Sequence, residues 1–141
     1  MQTGSAPLAL GRLAVYVSAM RLKAEVWAKA YLRSCASAGV SAAVVRHGDD
    51  DAGAIFIKVN RLDGTARLFG PAPAGFETGQ YERQWVAHID GPTTTEAEVD
   101  SYLARQIEFD RDIWILEVED REGRHFLEPW LAPDEDAKER R

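Results

Sequence analysis

Cysteine is nearly missing from this chain, and long apolar segments are missing altogether. The single cysteine, Cys35, cannot form an intrachain disulfide, which excludes the small disulfide-stabilised scaffolds of secreted proteins. A membrane-spanning helix needs about 20 consecutive apolar residues, and no stretch of this length occurs. The apolar residues 6–20 are interrupted by Arg12, and they lack the preceding basic residue of a signal peptide. These absences predict a cytoplasmic protein that is not bound to a membrane.

The sequence also lacks the patterns that bind nucleotides or zinc. Neither glycine-rich phosphate loop, G-x-x-x-x-G-K-S/T or G-x-G-x-x-G, occurs. His47, His88, His125 and Cys35 fall on separate predicted elements and show none of the i, i+3 or i, i+4 spacings of paired zinc ligands. We therefore expect no cofactor and assign no catalytic residue, and a non-catalytic protein is favoured over an enzyme.

Basic residues are outnumbered, and the two halves of the chain differ in charge. Asp and Glu number 23 against 17 Lys and Arg, which gives a net charge of −6. Residues 21–67 contain eight basic and five acidic side chains, whereas residues 68–130 contain five basic and fourteen acidic ones. Nucleic acid is not the favoured partner, because phosphate binding depends on dense Lys and Arg. The contrast between the halves is compatible with a homodimer that pairs unlike charges.

Apolar periodicity predicts two helices and several strands. Residues 21–39 carry a helical stripe that ends at Gly39, although their first six residues also alternate like a strand. Residues 91–109 continue from a capping-box pattern into a one-sided apolar face. Two pairs fit the capping box: Thr93 with Glu96, and Thr95 with Glu98. The predicted strands are residues 41–47, both arms of a hairpin within 49–71, residues 81–89 after a Gly/Pro-rich loop at 70–80, and a last hairpin formed by 113–118 and 125–127.

These elements predict one α+β domain. A chain of 141 residues, 45% of them hydrophobic, is long enough for one core. We expect a single two-layer domain over residues 20–131, with a mostly antiparallel sheet of five to six strands and two helices on one face. Residues 1–19 are predicted to lie outside this fold, so that Met20 is a second candidate for the translation start. Residues 132–141 are predicted to form a charged, disordered tail.

The hairpin around Asp63-Gly64 carries the main candidate site. This dipeptide is typical of a two-residue type I′ turn, and in that register Asn60 faces Arg67 and Lys58 faces Phe69. Alternation then sorts the side chains into an apolar face and an opposite face that contains the cations. The apolar face comprises Ile55, Ile57, Val59, Ala66 and Leu68, and the opposite face comprises Phe56, Lys58, Asn60, Arg67 and Phe69.

We predict that this cationic face binds an anionic small molecule or an acidic protein surface. Arg and Lys beside aromatic rings suit phosphate and carboxylate groups. The competing interpretation is an ordinary solvated sheet face, on which a lysine stem lies along a ring. The candidate ligand-binding residues are Arg46, His47, Lys58, Asn60 and Arg67.

The alternative function is a small metal-dependent hydrolase or nuclease-like enzyme. Glu117 and Glu119 fall on one face of a predicted strand, and together with Asp51 they form the candidate metal set, since carboxylate oxygens bind divalent metals. Glutamates at a strand end are also typical of a solvated edge. The E-x-K nuclease pattern is excluded, because Phe56 stands two residues before Lys58 in place of an acid.

Three blocks of the sequence carry a family resemblance. "WAKAYLRSC", "SAAVVRHGDDDAGAIFIKVNRLDGTARLFGPAP" and "IWILEVEDREGRHFLE" resemble an uncharacterised family of small alphaproteobacterial proteins, domain-of-unknown-function family 1491. The resemblance covers about residues 20–128, and the nineteen residues before it depart from the family pattern. It implies a single soluble domain and no particular activity, substrate or cofactor. Its most recognisable positions are Arg46, Gly48, Ala52-Gly53, the "NRLDG" turn and the final "EDREG".

Overall fold

The computed structural model describes residues 22–73 and 83–133. The predicted extension at residues 1–19, most of the loop predicted at 70–80, and nearly all of the tail predicted at 132–141 lie outside the described residues.

Within residues 22–73 and 83–133, two α-helices and five strands form a single α+β domain, so the predicted class is confirmed. The sheet has the order β1-β5-β2-β3-β4. Neighbouring strands are antiparallel except β2 and β5, which are parallel, and the sheet is therefore mostly antiparallel, as expected. The elements are α1 (Ala24–Ser37), β1 (Ser41–Arg46), β2 (Ile55–Asn60), β3 (Ala66–Pro71), β4 (Trp85–Ile89), α2 (Glu96–Phe109), β5 (Trp114–Glu119) and a short 3-10 helix (Glu128–Trp130).

The central strand β2 is buried along its whole length, because each face of the sheet carries its own core. On one face Ile57 and Val59 pack in a core with Trp27 of α1, and on the other Phe56 packs in a core with Val99 of α2. The prediction that both helices cover one face in two layers is therefore wrong: the sheet is the middle of three layers. The physical reason is that the face opposite α1 also carries apolar side chains, among them Phe56 of β2, Leu68 of β3 and Ile115 of β5, and α2 covers them.

Helix α1 buries a stripe of large side chains. Trp27, Tyr31 and Cys35 follow one another at four-residue intervals and are all buried. The ring of Trp27 stacks on Tyr31 at 5.0 Å and on Trp85 at 4.3 Å between centroids, which joins α1 to the first residue of β4. The first two N–H groups of the helix donate to carbonyls of the loop before β2. These bonds fix the helix start three residues later than residue 21, where it was predicted.

Helix α2 begins at one of the two predicted capping boxes. The Thr95 hydroxyl accepts a hydrogen bond from the Glu98 N–H at 3.1 Å, and the Glu98 carboxylate accepts one from the Thr95 N–H at 2.8 Å. Thr93 lies in the turn that precedes the helix. No helix within residues 22–73 and 83–133 is long and apolar enough to cross a membrane.

The chain after β5 does not return as a strand, so the predicted last hairpin is wrong. Phe126 adopts a left-handed backbone conformation with φ 58°, and the Leu127 N–H donates to Nδ1 of His125 at 2.9 Å. These local bonds replace a strand ladder. The segment continues to Ala132, whose N–H donates to the Trp85 carbonyl at 2.9 Å, so the C-terminal residues cover part of the outer edge of β4.

Candidate functional site

The turn between β2 and β3 is one residue longer than predicted. The Arg61 N–H donates to the Thr65 carbonyl at 3.0 Å, which leaves a three-residue loop in place of a two-residue turn. Leu62 and Gly64 both have positive φ, at 65° and 90°. The Asp63 carboxylate accepts hydrogen bonds from the Thr65 N–H at 2.9 Å and hydroxyl at 2.6 Å, and these bonds fix the loop.

This extra residue shifts the pairing and turns over every side chain of β3. Lys58 pairs with Leu68, Val59 pairs with Arg67 and Ile57 pairs with Phe69. Directly paired residues share a face, so Arg67 belongs to the α1 side of the sheet and Lys58 to the α2 side. The prediction that these two cations share one face is wrong.

Lys58 is buried beneath α2 and surrounded by carboxylates. The residue is 5% exposed, and its ammonium lies 2.9 Å from Glu96, 3.0 Å from Asp100 and 3.6 Å from Glu117. Burial alone would lower the pKa of Lys58, but the hydrogen bonds to Glu96 and Asp100 and the charge of Glu117 outweigh it, and the pKa is raised. The ammonium is therefore a charged internal partner of α2.

Asn60 completes this arrangement, which we call the charge network: Lys58, Asn60, Glu96, Asp100 and Glu117. The Asn60 amide nitrogen donates to Glu96 at 3.2 Å and to Glu117 at 3.0 Å, and its oxygen accepts from the Leu62 N–H at 2.8 Å. Both ends of the amide are thus used within the fold. The network ties the first turn of α2 to β2 and β5.

Arg67 also serves the fold. Its guanidinium donates to the carboxylate of Asp90 and, at 2.6 Å, to the carbonyl of Gly123, and it lies 4.8 Å from the centroid of the Phe69 ring. Its side chain is 13% exposed. The guanidinium therefore joins the chain after β4 to the turn after β5.

Arg46 and His47 lie at the opposite end of the sheet from Asn60. Arg46 pairs with Ile115 near the beginning of β5, and its guanidinium donates to the carbonyl of Arg111 at 2.9 Å. The His47 ring lies 4.0 Å from the Trp114 ring between centroids, and its Nε2 is 2.7 Å from the Asp50 carboxylate. The five predicted ligand-binding residues are thus not brought together into one surface.

The three candidate metal ligands are separated as well. Glu117 accepts from Asn60 in the charge network, Glu119 is exposed at the end of β5, and Asp51 lies in the loop before β2 with Lys23 3.7 Å from its carboxylate. Within the described part of the chain, no group of three His, Cys, Asp or Glu side chains is arranged to hold a metal ion.

A groove between α2 and β4 brings together polar residues that the sequence interpretation did not select. It is a shallow groove, open to solvent, with a volume of about 490 Å³. Arg105 lies on the exposed side of α2, with its guanidinium carbon 6.0 Å from the centroid of the Tyr102 ring, and it makes no ion pair or hydrogen bond with the described residues. The groove is lined by Ile89, Thr94, Ala97, Glu98, Ser101, Tyr102 and Arg105.

Tyr102 is held in position by a histidine. Its hydroxyl is 2.8 Å from Nδ1 of His88, and Nε2 of His88 is 3.2 Å from the carbonyl of Pro71. A carbonyl can only accept, so Nε2 carries the proton and Nδ1 accepts from the tyrosine hydroxyl. Tyr102 therefore presents a fixed ring to the groove.

The remaining polar groups of the groove make some hydrogen bonds within the fold but can still bond to a ligand. The Thr94 hydroxyl oxygen accepts from the Gly91 N–H at 3.1 Å, which leaves its own hydrogen to donate. One oxygen of Glu98 is used in the capping box. Helical spacing could have shown that Ser101, Tyr102 and Arg105 share a side of α2, but the groove itself depends on β4 being the neighbouring edge strand.

Together these features define a small single-domain α+β protein in which a five-stranded sheet separates two helices. The chain belongs to the family described as "Protein of unknown function (DUF1491)", whose model matches residues 22–128.

Solved structures of relatives agree with this assignment. A crystal structure of a DUF1491 family protein from Caulobacter crescentus CB15 is 40% identical, covers 77% of this chain and 94% of its own, and has a TM-score of 0.63. An NMR structure of a DUF1491 family protein from the same organism is 42% identical, with 76% and 93% coverage and a TM-score of 0.63. The solution structure of Atu0922 from A. tumefaciens is 36% identical, with 71% and 86% coverage and a TM-score of 0.62. No curated protein matches the chain.

Proposed function

We propose that this protein is a non-enzymatic binding domain that recognises an anionic small molecule in the groove between α2 and β4. The observation that carries the proposal is the exposed guanidinium of Arg105. It lies beside the fixed ring of Tyr102 and has no ion-pair partner among the described residues. Guanidinium groups bind carboxylate and phosphate through paired hydrogen bonds, and a neighbouring ring supports the flat face of the ligand. A groove of about 490 Å³ suits a small molecule.

The cations of the hairpin, Lys58 and Arg67, already have partners within the fold, which favours an anion site elsewhere in the molecule. Lys58 is neutralised by carboxylates, and Arg67 donates to Asp90 and Gly123, so an acidic protein surface would have to displace internal bonds to reach them. A catalytic lysine needs a pKa lowered toward neutrality. The pKa of Lys58 is raised instead, which argues against a reaction at this amine.

The charges along the groove indicate which anions fit. Glu98 and Arg105 are seven residues apart on α2, about 10 Å along the helix axis. An anionic group would pair with Arg105 and accept from the hydroxyl group of Ser101 one turn away, while the part of the ligand near Thr94 and Glu98 would be neutral or cationic. A carboxylate or a phosphate monoester with its charge at one end meets these conditions better than a polyanion.

We infer that the protein acts in the cytoplasm. Its only cysteine, Cys35, is fully buried in the α1 core, where it behaves as a small apolar side chain. This use of cysteine fits a reducing compartment.

Calorimetric titration of the full chain with phenyl phosphate and with benzoate tests the proposal. Arg105→Gln should weaken binding of the preferred probe about tenfold, because a charge-assisted bidentate contact contributes about 1.5 kcal/mol or more. Arg33→Gln, on the exposed side of α1, is the matched control and should leave the affinity unchanged. Equal affinity in the Arg105 variant, or no saturable binding of either probe, would contradict the proposal.

A further inference from the structure

We propose that β1 pairs edge to edge, in antiparallel orientation, with β1 of a second copy of this chain. Within the described residues β1 is hydrogen-bonded to β5 alone and forms one border of the sheet. The N–H and C=O groups that point outward from such a border are a template for another strand.

The opposite border of the sheet is covered by the chain itself. Trp85, at the beginning of β4, forms a parallel bridge with Leu131, and the Ala132 N–H donates to the Trp85 carbonyl at 2.9 Å. The fold therefore covers part of one border, and the described residues leave the other without a corresponding strand.

The sequence of β1 lacks most of the devices that prevent edge pairing. No charged residue and no proline occurs from Ser41 to Val45, whereas edge strands are commonly protected by lysine, proline or inward charges. A bulge between Val44 and Arg46 disturbs only the end of the strand. The part before the bulge is regular and neutral, as strand pairing requires.

Exposed apolar side chains are concentrated at this border. Of the five large hydrophobic side chains that are exposed in the described residues, Val44 is 42% exposed, Val45 is 59% exposed and Phe109 is 87% exposed. Phe109 ends α2, two residues before the Arg111 carbonyl that accepts from Arg46, so it lies at the same end of the sheet. Apolar side chains beside an open strand edge favour a neutral, apolar partner strand.

A second copy of β1 is such a strand, and the charges at its ends favour the antiparallel arrangement. Arg46 closes one end of β1, and Glu119 is the cross-strand neighbour of Ser41 at the other end. Antiparallel pairing brings the Arg46 end of one copy beside the Glu119 end of the other, whereas parallel pairing would bring like charges together. The resulting two-fold contact is closed and yields a dimer with a continuous sheet.

Sedimentation equilibrium of the full chain over a range of protein concentrations tests the proposal. The wild-type protein should pass from the monomer mass of 15.7 kDa to twice that mass as the concentration rises. The dimer should persist at high salt, because backbone hydrogen bonds and apolar contacts are not screened. A purely monomeric protein, or a dimer that dissociates on addition of salt, would overturn the proposal.

Val45→Lys should weaken self-association at least tenfold, because a charged lysine on an edge strand opposes pairing with another strand. Val26→Lys is the matched control: Val26 is 46% exposed on α1 and not on the strand edge, and its substitution should leave association unchanged. If Val45→Lys fails to fold by circular dichroism, Ala43→Lys at another exposed position of β1 takes its place. A folded β1 variant that associates like the wild type would refute pairing through this strand.

Discussion

A lysine that is only 5% exposed remains charged where acceptors surround it, and Lys58 has three. Its carboxylate partners are 38, 42 and 59 positions away in the chain, on α2 and β5. Sequence patterns could therefore identify the cation but not its neutralisation. At the scale of single residues, Lys58, which the sequence pattern predicts to be a surface cation, connects α2 to the sheet through the charge network.

Replacing Lys58 should measure the strength of this connection. We expect Lys58→Met to lower the free energy of unfolding by about 2 kcal/mol at neutral pH, below the usual loss for a broken buried pair, because Glu96 and Asp100 are 39% and 58% exposed. The pKa of Lys58 is raised in the fold, so its stabilisation is complete below the unfolded pKa of about 10.4 and is lost as the pH rises through the higher folded value. Urea unfolding at several pH values should show the gap between wild type and variant closing above about pH 10.4.

The control for this variant is Lys29→Met, which removes an exposed pair with Glu25 at 3.2 Å. A surface pair contributes little, so this change should alter stability by less than about 0.5 kcal/mol. Equal losses for the two variants would mean that Lys58 is not specifically stabilised by its surroundings.

At the scale of elements, the beginning of α2 determines where the charge network and the groove lie. The capping box sets Thr95 and Glu98 at the first turn, with Glu96 of the network between them and Glu98 itself at one end of the groove. The sequence predicted this helix and both capping candidates, but choosing between them required the turn that precedes the helix.

Two threonine variants separate the capping candidates. Thr95→Ala should lower the free energy of unfolding by about 1 kcal/mol, because the Glu98 N–H loses its acceptor. Thr93→Ala, in the exposed turn, should change it by less than about 0.5 kcal/mol. Chemical denaturation of both variants would contradict this assignment if the Thr93 variant showed the larger loss.

The loop between β1 and β2 packs closely against the backbone of Asp112, just before β5, and this contact requires glycine at two positions. A Cβ added at Gly48 would lie 2.2 Å from the carbonyl oxygen of Asp112, and one added at Gly53 would lie 2.5 Å from the same atom. Neither position requires a positive φ, so glycine is needed there for space rather than for backbone conformation.

Gly48→Ala should therefore destabilise the protein by about 2 to 3 kcal/mol, since the backbone it meets cannot rotate away. The comparison variant is Gly64→Ala, where φ is 90° but nothing lies within 4 Å of the added carbon; only conformational strain of about 1 kcal/mol is expected. Thermal unfolding of the two variants should rank them in this order, and the reverse order would contradict the close-contact explanation.

At the scale of the whole molecule, local patterns predicted the α+β class, both helices and most strands, because each depends on residues near one another in the chain. The arrangement of layers could not be predicted in the same way. The face of the sheet that each helix covers depends on the parallel pairing of β2 with β5. This pairing is formed by residues about 60 positions apart in the chain. A single extra loop residue then reversed the faces of β3 and separated Arg67 from Lys58.

The positions that make the family recognisable have structural roles in this molecule. Arg46 donates to the Arg111 carbonyl, Gly48 packs against the chain before β5, and the "NRLDG" and "EDREG" segments form the two adjoining turns at one end of the sheet. These contacts fix the conformation of loops at both ends of the sheet. The proposed anion site lies outside these positions, in the groove beside α2.

The most direct test of the central claim is a map of backbone amide chemical shifts during titration of the isotope-labelled full chain with the preferred anionic probe. The largest changes should fall on Thr94, Ser101, Tyr102 and Arg105 around the groove. Changes centred instead on Lys58, Asn60 and Arg67 would show that the hairpin cations bind the anion, and would contradict their internal role.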